Sequence, residues 1–386
     1  MRRLLFLASA MIFFDVAFFA AIAPLLPGYV DDLGLSKAQA GILSASYAAG
    51  TLIASLPAGF VASRVGPKRS VISGLMLLGV ASLVFGLVDE IDLLDAARFT
   101  QGVAGALIWA GALTWLITSA PEESRGRVIG TALGTAVAGA LLGPALGAAA
   151  ASIGTAPVFG SVLVVTSVLA LAASRLPEVR VPERQPLREV LATMRSRPIL
   201  DGVAFVAVPS VMFGAIEVLV PLRIDALGGS HGVIAAGFIA GAALEAVLAP
   251  IAGRLSDRVG RRMPYVVGLT ICAVAMVAVA LAQSLGGVLA ALIVTSLGAG
   301  LCFAPALTLL SDIADASSLH QGFAAGLSNM AWASGQVVGG IGGGVVASIT
   351  GNAAPSIAIA VLLVVTVGYA FRSLGTEPVA PQPVES

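Results

Sequence analysis

The sequence predicts an all-α membrane protein with twelve transmembrane helices in two pseudo-symmetric six-helix bundles. Three observations predict this class. Of the 386 residues, 58% are hydrophobic and only 11% are charged, whereas about 25% of the residues in soluble domains are charged. Apolar runs of about 20 residues, each long enough to cross a bilayer as a helix, recur along the chain. One short sequence also occurs twice, which indicates that one half of the chain is a duplicate of the other.

The predicted spans are joined by short links, which leave no room for a separate soluble domain. Their approximate bounds are 4–27, 38–61, 70–88, 94–118, 127–151, 156–174, 199–222, 233–252, 264–283, 286–310, 322–348 and 354–373. The longest polar link contains prolines and a short amphipathic stretch at 187–194. We therefore expect an N-terminal bundle at 1–174, a cytoplasmic linker with a short amphipathic helix at 175–198, a C-terminal bundle at 199–374 and a disordered cytoplasmic tail at 375–386.

Basic residues are distributed unequally between the two sides of these spans. With the N-terminus in the cytoplasm, 18 of the 21 Lys and Arg residues fall on the cytoplasmic side. Lys37 and Arg223 lie outside, and Arg98 lies within a span. This bias predicts that both termini are cytoplasmic. The high Ala and Gly content is typical of a GC-rich bacterial genome, so we expect a multi-pass protein of the inner (plasma) membrane.

The sequence offers little for enzymatic chemistry. No phosphate-binding loop is present, and no paired Asp, Ser/His or metal-ligand constellation of an intramembrane protease is found. Cys272 and Cys302 fall inside predicted spans, where neither a disulfide framework nor a metal cluster is expected. We therefore predict a monomer that is not an enzyme, with no cofactor, no metal and no nucleic-acid partner.

The duplicated sequence follows the second and the eighth predicted span. Gly59-Phe-Val-Ala-Ser-Arg64-Val-Gly66-Pro-Lys68-Arg69 corresponds, at an offset of 194 residues, to Gly253-Arg-Leu-Ser-Asp257-Arg258-Val-Gly260-Arg261-Arg262. The same offset joins Pro27 to Pro221, Asp31 to Asp225, Gly34 to Gly228 and Ser36 to Ser230. Two such halves are how many transporters are built, and they predict a central site that opens alternately to each side.

A second repeat, at an offset of 196 residues, joins the fifth span to the eleventh. It pairs Gly139, Gly143 and Gly147 with Gly335, Gly339 and Gly343. Small residues at every fourth position let two helices approach closely. Tight packing alone would explain the glycines. The shared register favours paired helices that slide or rock across the contact between the bundles.

These motifs resemble those of the major facilitator superfamily over essentially the whole chain. The two repeated loops resemble its G-x-L-x-D-R-x-G-R-R/K signature, with Ser63 replacing the acid that Asp257 retains. The segment Arg98-Phe-Thr-Gln101-Gly102-Val-Ala-Gly105 resembles its R-x-x-Q-G-x-x-G element, and Gly139-Ala-Leu-Leu-Gly143-Pro144-Ala-Leu-Gly147 resembles its antiporter element. The resemblance implies the major facilitator fold.

Within that family, the first span resembles helix one of the twelve-span drug/proton antiporters. It is also similar to the vesicular monoamine transporters, where an acid at the position of Asp15 serves cationic substrates. Glu217 falls where those proteins carry an acid in helix seven, whereas Asn329 replaces the acid expected in helix eleven. The resemblance implies a proton-coupled antiporter that exports hydrophobic or cationic organic compounds, as in multidrug efflux. The alternatives are a facilitator or proton symporter for a neutral metabolite or sugar and, more remotely, a membrane sensor or enzyme.

Ionisable residues inside the spans are the candidates for binding substrate and protons. They are Asp15, Arg98, Glu217 and Glu245. A charge at the centre of a membrane helix costs about 2.5–3.5 kcal/mol, so we expect these side chains to face the protein interior. Burial disfavours an ionised carboxylate, which suits a carrier that takes up and releases protons. Asp15 and Glu245 could instead serve packing alone through a hydrogen bond to a neighbouring helix. Glu217, one turn before Pro221, could be a solvated residue near the outer end of its helix, and Arg98 could pair with Asp95.

Further residues are expected to line the cavity or to control its opening. Aromatic rings near Asp15 suit an organic cation. The additional cavity candidates are Phe19, Gln101, Trp109, Asn329 and Trp332. The repeated loops are expected to form a conformational latch of Gly59, Arg64, Gly66, Arg69, Gly253, Asp257, Arg258, Gly260 and Arg261. Asp257 could accept from a helix N-terminus of the opposite bundle in one conformation only. The resemblance further implies that Arg98 tunes proton binding.

Overall fold

The computed structural model describes residues 1–121, 124–179, 187–317, 319 and 321–374. Within these ranges the chain forms fourteen α-helices and no β-strand. They are α1 (Arg2–Ala20), α2 (Ile22–Leu33), α3 (Lys37–Arg64), α4 (Pro67–Leu87), α5 (Ile91–Ser119), α6 (Arg125–Ile153), α7 (Thr155–Ser174), α8 (Leu187–Met194), α9 (Arg197–Ala226), α10 (His231–Val259), α11 (Arg262–Leu281), α12 (Leu285–Ala316), α13 (Gln321–Thr350) and α14 (Ala353–Ser373). The predicted tail at 375–386 and residues 180–186 of the predicted linker lie outside the described ranges.

The membrane-spanning helices match the predicted number. Eleven helical segments of the described chain are long and apolar enough to cross a bilayer, with α1 and α2 counted as one span. The remaining long helix, α13, has 30 residues and none of them is charged. It packs between α3 and α9. The prediction of an all-α protein with two six-helix bundles is therefore confirmed.

Successive spans alternate in direction, so the molecule has two distinct ends. The terminal end carries both chain termini and the repeated loops after α3 and α10. The distal end carries the turns before α3, α5 and α10. Each half has its own hydrophobic core, one formed mainly by residues from Leu4 to Ala173 and the other by residues from Val190 to Ala370. The contact between the halves is called the seam below.

The duplication is visible in the backbone. Gly34 ends α2 with φ +64°, and Gly228, its partner at the offset of 194, has φ +79° after α9. Both glycines adopt the left-handed conformation that other residues disfavour. Two residues further on, Ser36 caps the N-terminus of α3 and Ser230 caps that of α10 through their side chains. The same turn is therefore built twice.

The first predicted span is broken in the structure. A turn at Ala21 separates α1 from α2, although the sequence analysis treats 4–27 as one helix. Pro24 explains the difference, because it has no N–H to donate to the carbonyl four residues earlier. The break leaves backbone carbonyl groups of the last turn of α1 available to other donors. It lies in the middle of the membrane-spanning segment, close to Asp15.

The two glycine rows that form the second repeat pack within the halves. Gly139, Gly143 and Gly147 lie against the backbone of α1 and its break, at Phe13, Ala17 and Ala21. Gly335, Gly339 and Gly343 lie in the same way against α9, at Ala207, Val211 and Ala215. The glycines of the two rows thus pack within one half, and the rows preserve the twofold relation between the halves. Helices α6 and α13 nevertheless reach the other half, at α10 and α3. That these paired helices slide or rock across the seam stays a prediction.

The seam is closed at the distal end. Gly41 of α3 lies against Gly340 and Gly344 of α13, so close that a methyl group at Gly41 would overlap the Gly340 carbonyl oxygen. Lys37 Nζ donates to Asn352 Oδ1 at 2.6 Å. His231 Nδ1 of α10 donates to the carbonyl oxygen of Pro24 of α2 at 2.7 Å. These contacts join the N-terminal and C-terminal halves.

Candidate functional site

Asp15 lies at the centre of α1, where its side chain is only 1% exposed. Its Oδ1 accepts a hydrogen bond from the Tyr47 hydroxyl of α3 at 2.9 Å. Its Oδ2 accepts from Trp109 Nε1 of α5 at 3.0 Å. Three helices of the N-terminal half therefore meet at this carboxyl group. A carboxyl group held by two side chains in a nonpolar surrounding is a candidate for reversible protonation or for pairing with a cation.

Two glycines of the R-x-x-Q-G-x-x-G element create the space for this arrangement. Any side chain at Gly102 would overlap the Tyr47 carbonyl group, so Gly102 lets α5 pack directly on the backbone of α3. A methyl group at Gly105 would overlap the Tyr47 hydroxyl and lie 2.9 Å from Asp15 Oδ1. The two glycines of this element are therefore explained by packing. They leave the space that the hydrogen-bonded Asp15 and Tyr47 side chains occupy next to α5.

Arg98 of the same element is also 1% exposed. Its guanidinium group donates to the carbonyl oxygens of Phe18 at 3.4 Å and Phe19 at 3.2 Å, in the last turn of α1. A third hydrogen bond reaches Gln101 Oε1 at 3.1 Å. A cation at the C-terminal end of a helix is favourable. Arg98 thus binds the break in the first span rather than Asp95, whose carboxylate lies near Ser46 at 3.4 Å.

Gln101 links Arg98 to the neighbouring helix α4. Its side chain is 1% exposed, and its Nε2 donates to Ser82 Oγ at 3.0 Å. Gln101 therefore lies behind Arg98, inside the N-terminal half. Nε of Arg98 is buried and has no hydrogen-bond partner in the described part of the chain.

Aromatic rings connect the Asp15 region to the C-terminal half. The Phe19 ring lies 4.8 Å from that of Tyr47 and 5.3 Å, edge to face, from that of Trp332 on α13. Asn329 lies three residues before Trp332 on α13 and is partly buried. Phe19 and Trp332 thus bring the two halves into contact close to the buried carboxyl group. Such rings can bind apolar groups or a cation.

Glu217 reaches the seam from the opposite half. It lies on α9, is partly buried, and faces the side-chain amide of Gln336 on α13. Arg98 lies within electrostatic range of both Glu217 and Asp15. The structure therefore places two acids, one from each half, around one buried arginine. Binding of a proton or a cation to either acid changes the net charge of this three-residue group. Because the acids come from different halves, that change alters the attraction between the halves.

Glu245 belongs to a different part of the molecule. It lies on α10 and faces Ser296 on α12, within the C-terminal half. Gly300 of α12 packs against the α10 backbone at Glu245, which brings the two helices close together. Glu245 is thus separate from the Asp15, Arg98 and Glu217 group.

The latch residues lie at the terminal end. Asp257, in the last turn of α10, pairs with Arg261, and Arg261 also reaches Asp312 of α12 at 3.3 Å. In the first half, Arg69 lies 3.7 Å from Glu178, and Arg64 stacks on the Phe60 ring at 3.8 Å. In this conformation these side-chain contacts remain within their own halves. Arg258 is exposed, and Gly253 faces open space.

Three residues around the central carboxyl groups are absent from the sequence-based candidates. They are Tyr47, which donates to Asp15, and Gln336 and Ser296, which face Glu217 and Glu245. Tyr47 lies about four turns before the end of the second predicted span, in a segment otherwise made of small residues, and that position is its one sequence signal. The other two are uncharged and have no distinctive spacing.

The two bundles, their duplicated turns and the buried acids at the seam define a multi-pass membrane transporter. A family model described as Major Facilitator Superfamily matches residues 5–314 and, in a second match, residues 210–386. The chain belongs to the Major Facilitator Superfamily.

Individual relatives are distant. The MFS-type transporter ppzB of Metarhizium majus is 28% identical over 130 residues, which cover 32% of this chain and 28% of that protein. The uncharacterized MFS-type transporter YcaD of Escherichia coli is 25% identical over 272 residues, which cover 67% of this chain and 68% of that protein. This chain thus matches under a third of the fungal relative's length.

Solved structures share the fold at low sequence identity. A bacterial homolog of the human lysosomal transporter Spinster, in an inward-facing and occupied conformation, has a TM-score of 0.78 and 16% identity, with 95% of each chain covered. A D-xylose–proton symporter has a TM-score of 0.76 and 16% identity, with 97% of each chain covered.

Proposed function

We propose that this protein is a proton-coupled antiporter that exports hydrophobic or cationic organic compounds by alternating access. The observation that carries the proposal is the buried Asp15 carboxyl group, held by Tyr47 and Trp109 beside rings that bridge the two halves. A carboxylate next to aromatic rings provides an ion pair and a cation–π contact for an organic cation. A proton competes for the same carboxylate, so loading of one releases the other.

The two halves supply the motion. We propose that 1–174 and 199–374 rock against each other around the seam, joined by the linker at 175–198. The distal contacts at Lys37 and His231 then break when the site opens to that end. The latch residues bias the equilibrium between the two conformations from the terminal end. We further propose a monomer in the inner (plasma) membrane with both termini cytoplasmic, because the basic residues concentrate at the terminal end.

The resemblance of the first span to the twelve-span drug/proton antiporters and the vesicular monoamine transporters supports this choice of substrate. Near Asp15, the Phe19 and Trp332 rings form a contact between the halves, and the Phe19 ring also lies against Tyr47. Both features favour an apolar or cationic compound over a carbohydrate. Proton symport or facilitated passage of a neutral metabolite or sugar is the alternative, and it predicts a different proton signal.

Exchange in proteoliposomes tests the proposal. Purified protein is reconstituted with a pH-sensitive dye inside, a proton gradient is imposed, and lipophilic cations and neutral compounds are added. We expect substrate-evoked proton efflux that disappears in Asp15→Asn. Efflux is expected to fall in Glu217→Gln and in Glu245→Gln. Asp201→Asn is the matched control, because Asp201 lies on the same helix as Glu217 but pairs with Arg197 at the terminal end.

The sign of the proton signal separates the candidates. Proton movement in the same direction as the substrate would replace antiport by symport, and substrate movement without any proton signal would leave a facilitator. The response to membrane potential reports stoichiometry. One proton exchanged for one monovalent cation moves no net charge, whereas two protons per cation gain about 2.3 kcal/mol per 100 mV.

A further inference from the structure

A pocket of about 410 Å³ opens at the terminal end of the N-terminal half. It lies between the first turn of α1, the last turn of α5 and residues 176–179, which follow α7. Trp115, which is 1% exposed, forms part of its wall. None of the described residues that line this pocket belongs to the Asp15 site or to the latch.

The lining of the pocket carries positive charge. Among the described residues that line it, the charged ones are Arg2 and Arg3. Glu178 is in the adjacent segment, but its carboxylate lies near Arg69 at 3.7 Å and against Gly66, away from the pocket. Lys68 fixes this segment, because its Nζ donates to the carbonyl oxygens of Ser174 and Leu176 at 2.6 and 2.7 Å. Because the Glu178 carboxylate points toward Arg69, it does not neutralise the two guanidinium groups of the pocket.

Hydrogen-bond donors other than the arginines also converge there. Helix α1 begins at Arg2, and Met1 supplies no side-chain cap for its first N–H groups. Those groups and the helix dipole favour an anion. Ser119 Oγ, which belongs to the pocket lining, is buried and has no hydrogen-bond partner within the described residues. An acceptor in the pocket would satisfy it.

We propose that this pocket binds a phosphate group. Guanidinium groups match phosphate oxygens with paired hydrogen bonds. The sources are the headgroup of an anionic phospholipid or a small soluble phosphate compound, and the surroundings favour the lipid. Phe6 follows Arg2 by four positions on the same helix face and is 74% exposed. An acyl chain attached to the phosphate would lie along this apolar surface.

Lipid binding to the full-length protein in detergent tests the proposal. Thermal unfolding and native mass spectrometry are followed with added phosphatidylglycerol, phosphatidylcholine or inorganic phosphate at matched ionic strength. We expect phosphatidylglycerol to bind and to raise the unfolding temperature. In the double variant Arg2→Gln/Arg3→Gln its affinity should fall about tenfold, since a hydrogen bond to a charged group is worth that much or more. Arg372→Gln is the matched control, because Arg372 is exposed at the same end on α14.

A second variant avoids any change of charge. Because N-terminal arginines also influence membrane orientation, Ser119→Ala is made alongside, and we expect severalfold weaker binding of phosphatidylglycerol. Competition by inorganic phosphate would support recognition of the phosphate group. Phosphate that stabilises as strongly as phosphatidylglycerol would identify a soluble ligand for the same pocket. Unchanged binding of phosphatidylglycerol in the double variant, or equal losses in Arg372→Gln and the double variant, would overturn the proposal.

Discussion

At the scale of single residues, the two oxygen atoms of Asp15 are not equivalent. Oδ2 accepts from the indole N–H of Trp109, which can only donate. Oδ1 accepts from the Tyr47 hydroxyl, which can also accept. A proton that arrives while Trp109 stays in place therefore belongs on Oδ1, and the Tyr47 hydroxyl then turns to accept it. Tyr47 is thus a positioning residue for both forms of the carboxyl group.

Replacement of Tyr47 by Phe tests this role. A carboxylate that loses one hydrogen-bond donor holds its negative charge less well, so protons compete better against a cationic substrate. A hydrogen bond to a charged group contributes about 1.5–3 kcal/mol, which predicts an apparent substrate affinity at least tenfold weaker at neutral pH. The affinity should recover as the pH is raised, because the proton then competes less.

Substrate binding to the purified protein across a pH series measures the effect. Tyr369→Phe is the control, since Tyr369 bonds Asp201 at the terminal end, far from Asp15. An affinity of Tyr47→Phe that matches the wild type at every pH would contradict the role.

Sequence reasoning identifies the charged residues at this scale but not the residues that hold them. Asp15 and Arg98 are conspicuous because a charge in an apolar span demands an explanation. Tyr47 is conspicuous only after α3 and α5 are packed together, since its contact with Asp15 depends on the space at Gly105. The interpretation of Arg98 left a pair with Asp95 open, and the structure instead directs its guanidinium to backbone carbonyl groups, which no side-chain pattern reveals.

At the scale of helices, the break between α1 and α2 is the main departure from the predicted spans. Pro24 is visible in the sequence, but it does not show which group binds the carbonyl groups at the end of α1. Pro24 itself removes only the donor to the Ala20 carbonyl, and the two carbonyls before it, those of Phe18 and Phe19, accept hydrogen bonds from Arg98. The broken helix and the arginine therefore form one unit that fixes the orientation of the residues before the break, including Asp15.

The variant Arg98→Lys keeps the charge but removes the planar fork of donors. A single ammonium group cannot reach the Phe18, Phe19 and Gln101 acceptors in the geometry that the guanidinium uses. We expect a loss of about 1–3 kcal/mol in stability, seen as a lower unfolding temperature in detergent, together with slower exchange. Arg197→Lys, an exposed arginine paired with Asp201, should leave both unchanged. Equal unfolding temperatures of Arg98→Lys and the wild type would refute the role of the fork.

At the scale of the whole molecule, the sequence predicts the fold but does not predict which helix faces form the contact between the two halves. Hydropathy and the 194-residue repeat are properties of short segments, so they identify the spans and the duplication directly. The seam depends on which faces of the long helices meet. Many helix faces of this chain are rich in glycine and alanine, so composition alone does not identify the faces that form the seam. The repeated glycine rows of α6 and α13 favour helices that slide across the seam, but the glycines themselves pack within their own halves.

Distal closure depends on close approach of α3 and α13. A methyl group at Gly41 would overlap the Gly340 carbonyl oxygen, and overpacking of this kind costs about 1–3 kcal/mol. We therefore expect Gly41→Ala to disfavour the closed distal end and to slow exchange in proteoliposomes about tenfold. Gly342→Ala, on the same helix as Gly340 but with no atom within 4 Å of the new methyl group, should exchange normally. Similar rates in the two variants would show that distal closure does not limit transport.

The glycines of α13 form two rows with different neighbours. Gly335, Gly339 and Gly343 contact α9 in the same half, whereas Gly340 and Gly344 contact α3 in the other half. The rows are one residue apart in sequence, so they lie on faces of the helix that differ by about 100°. Substitutions in the first row should therefore reduce the yield of assembled protein, and those in the second row should leave the yield intact and reduce turnover. One face of α13 thus holds its own half together, and another face closes the contact with the other half. Mutations at neighbouring positions of this helix should therefore impair different properties, assembly in one case and turnover in the other.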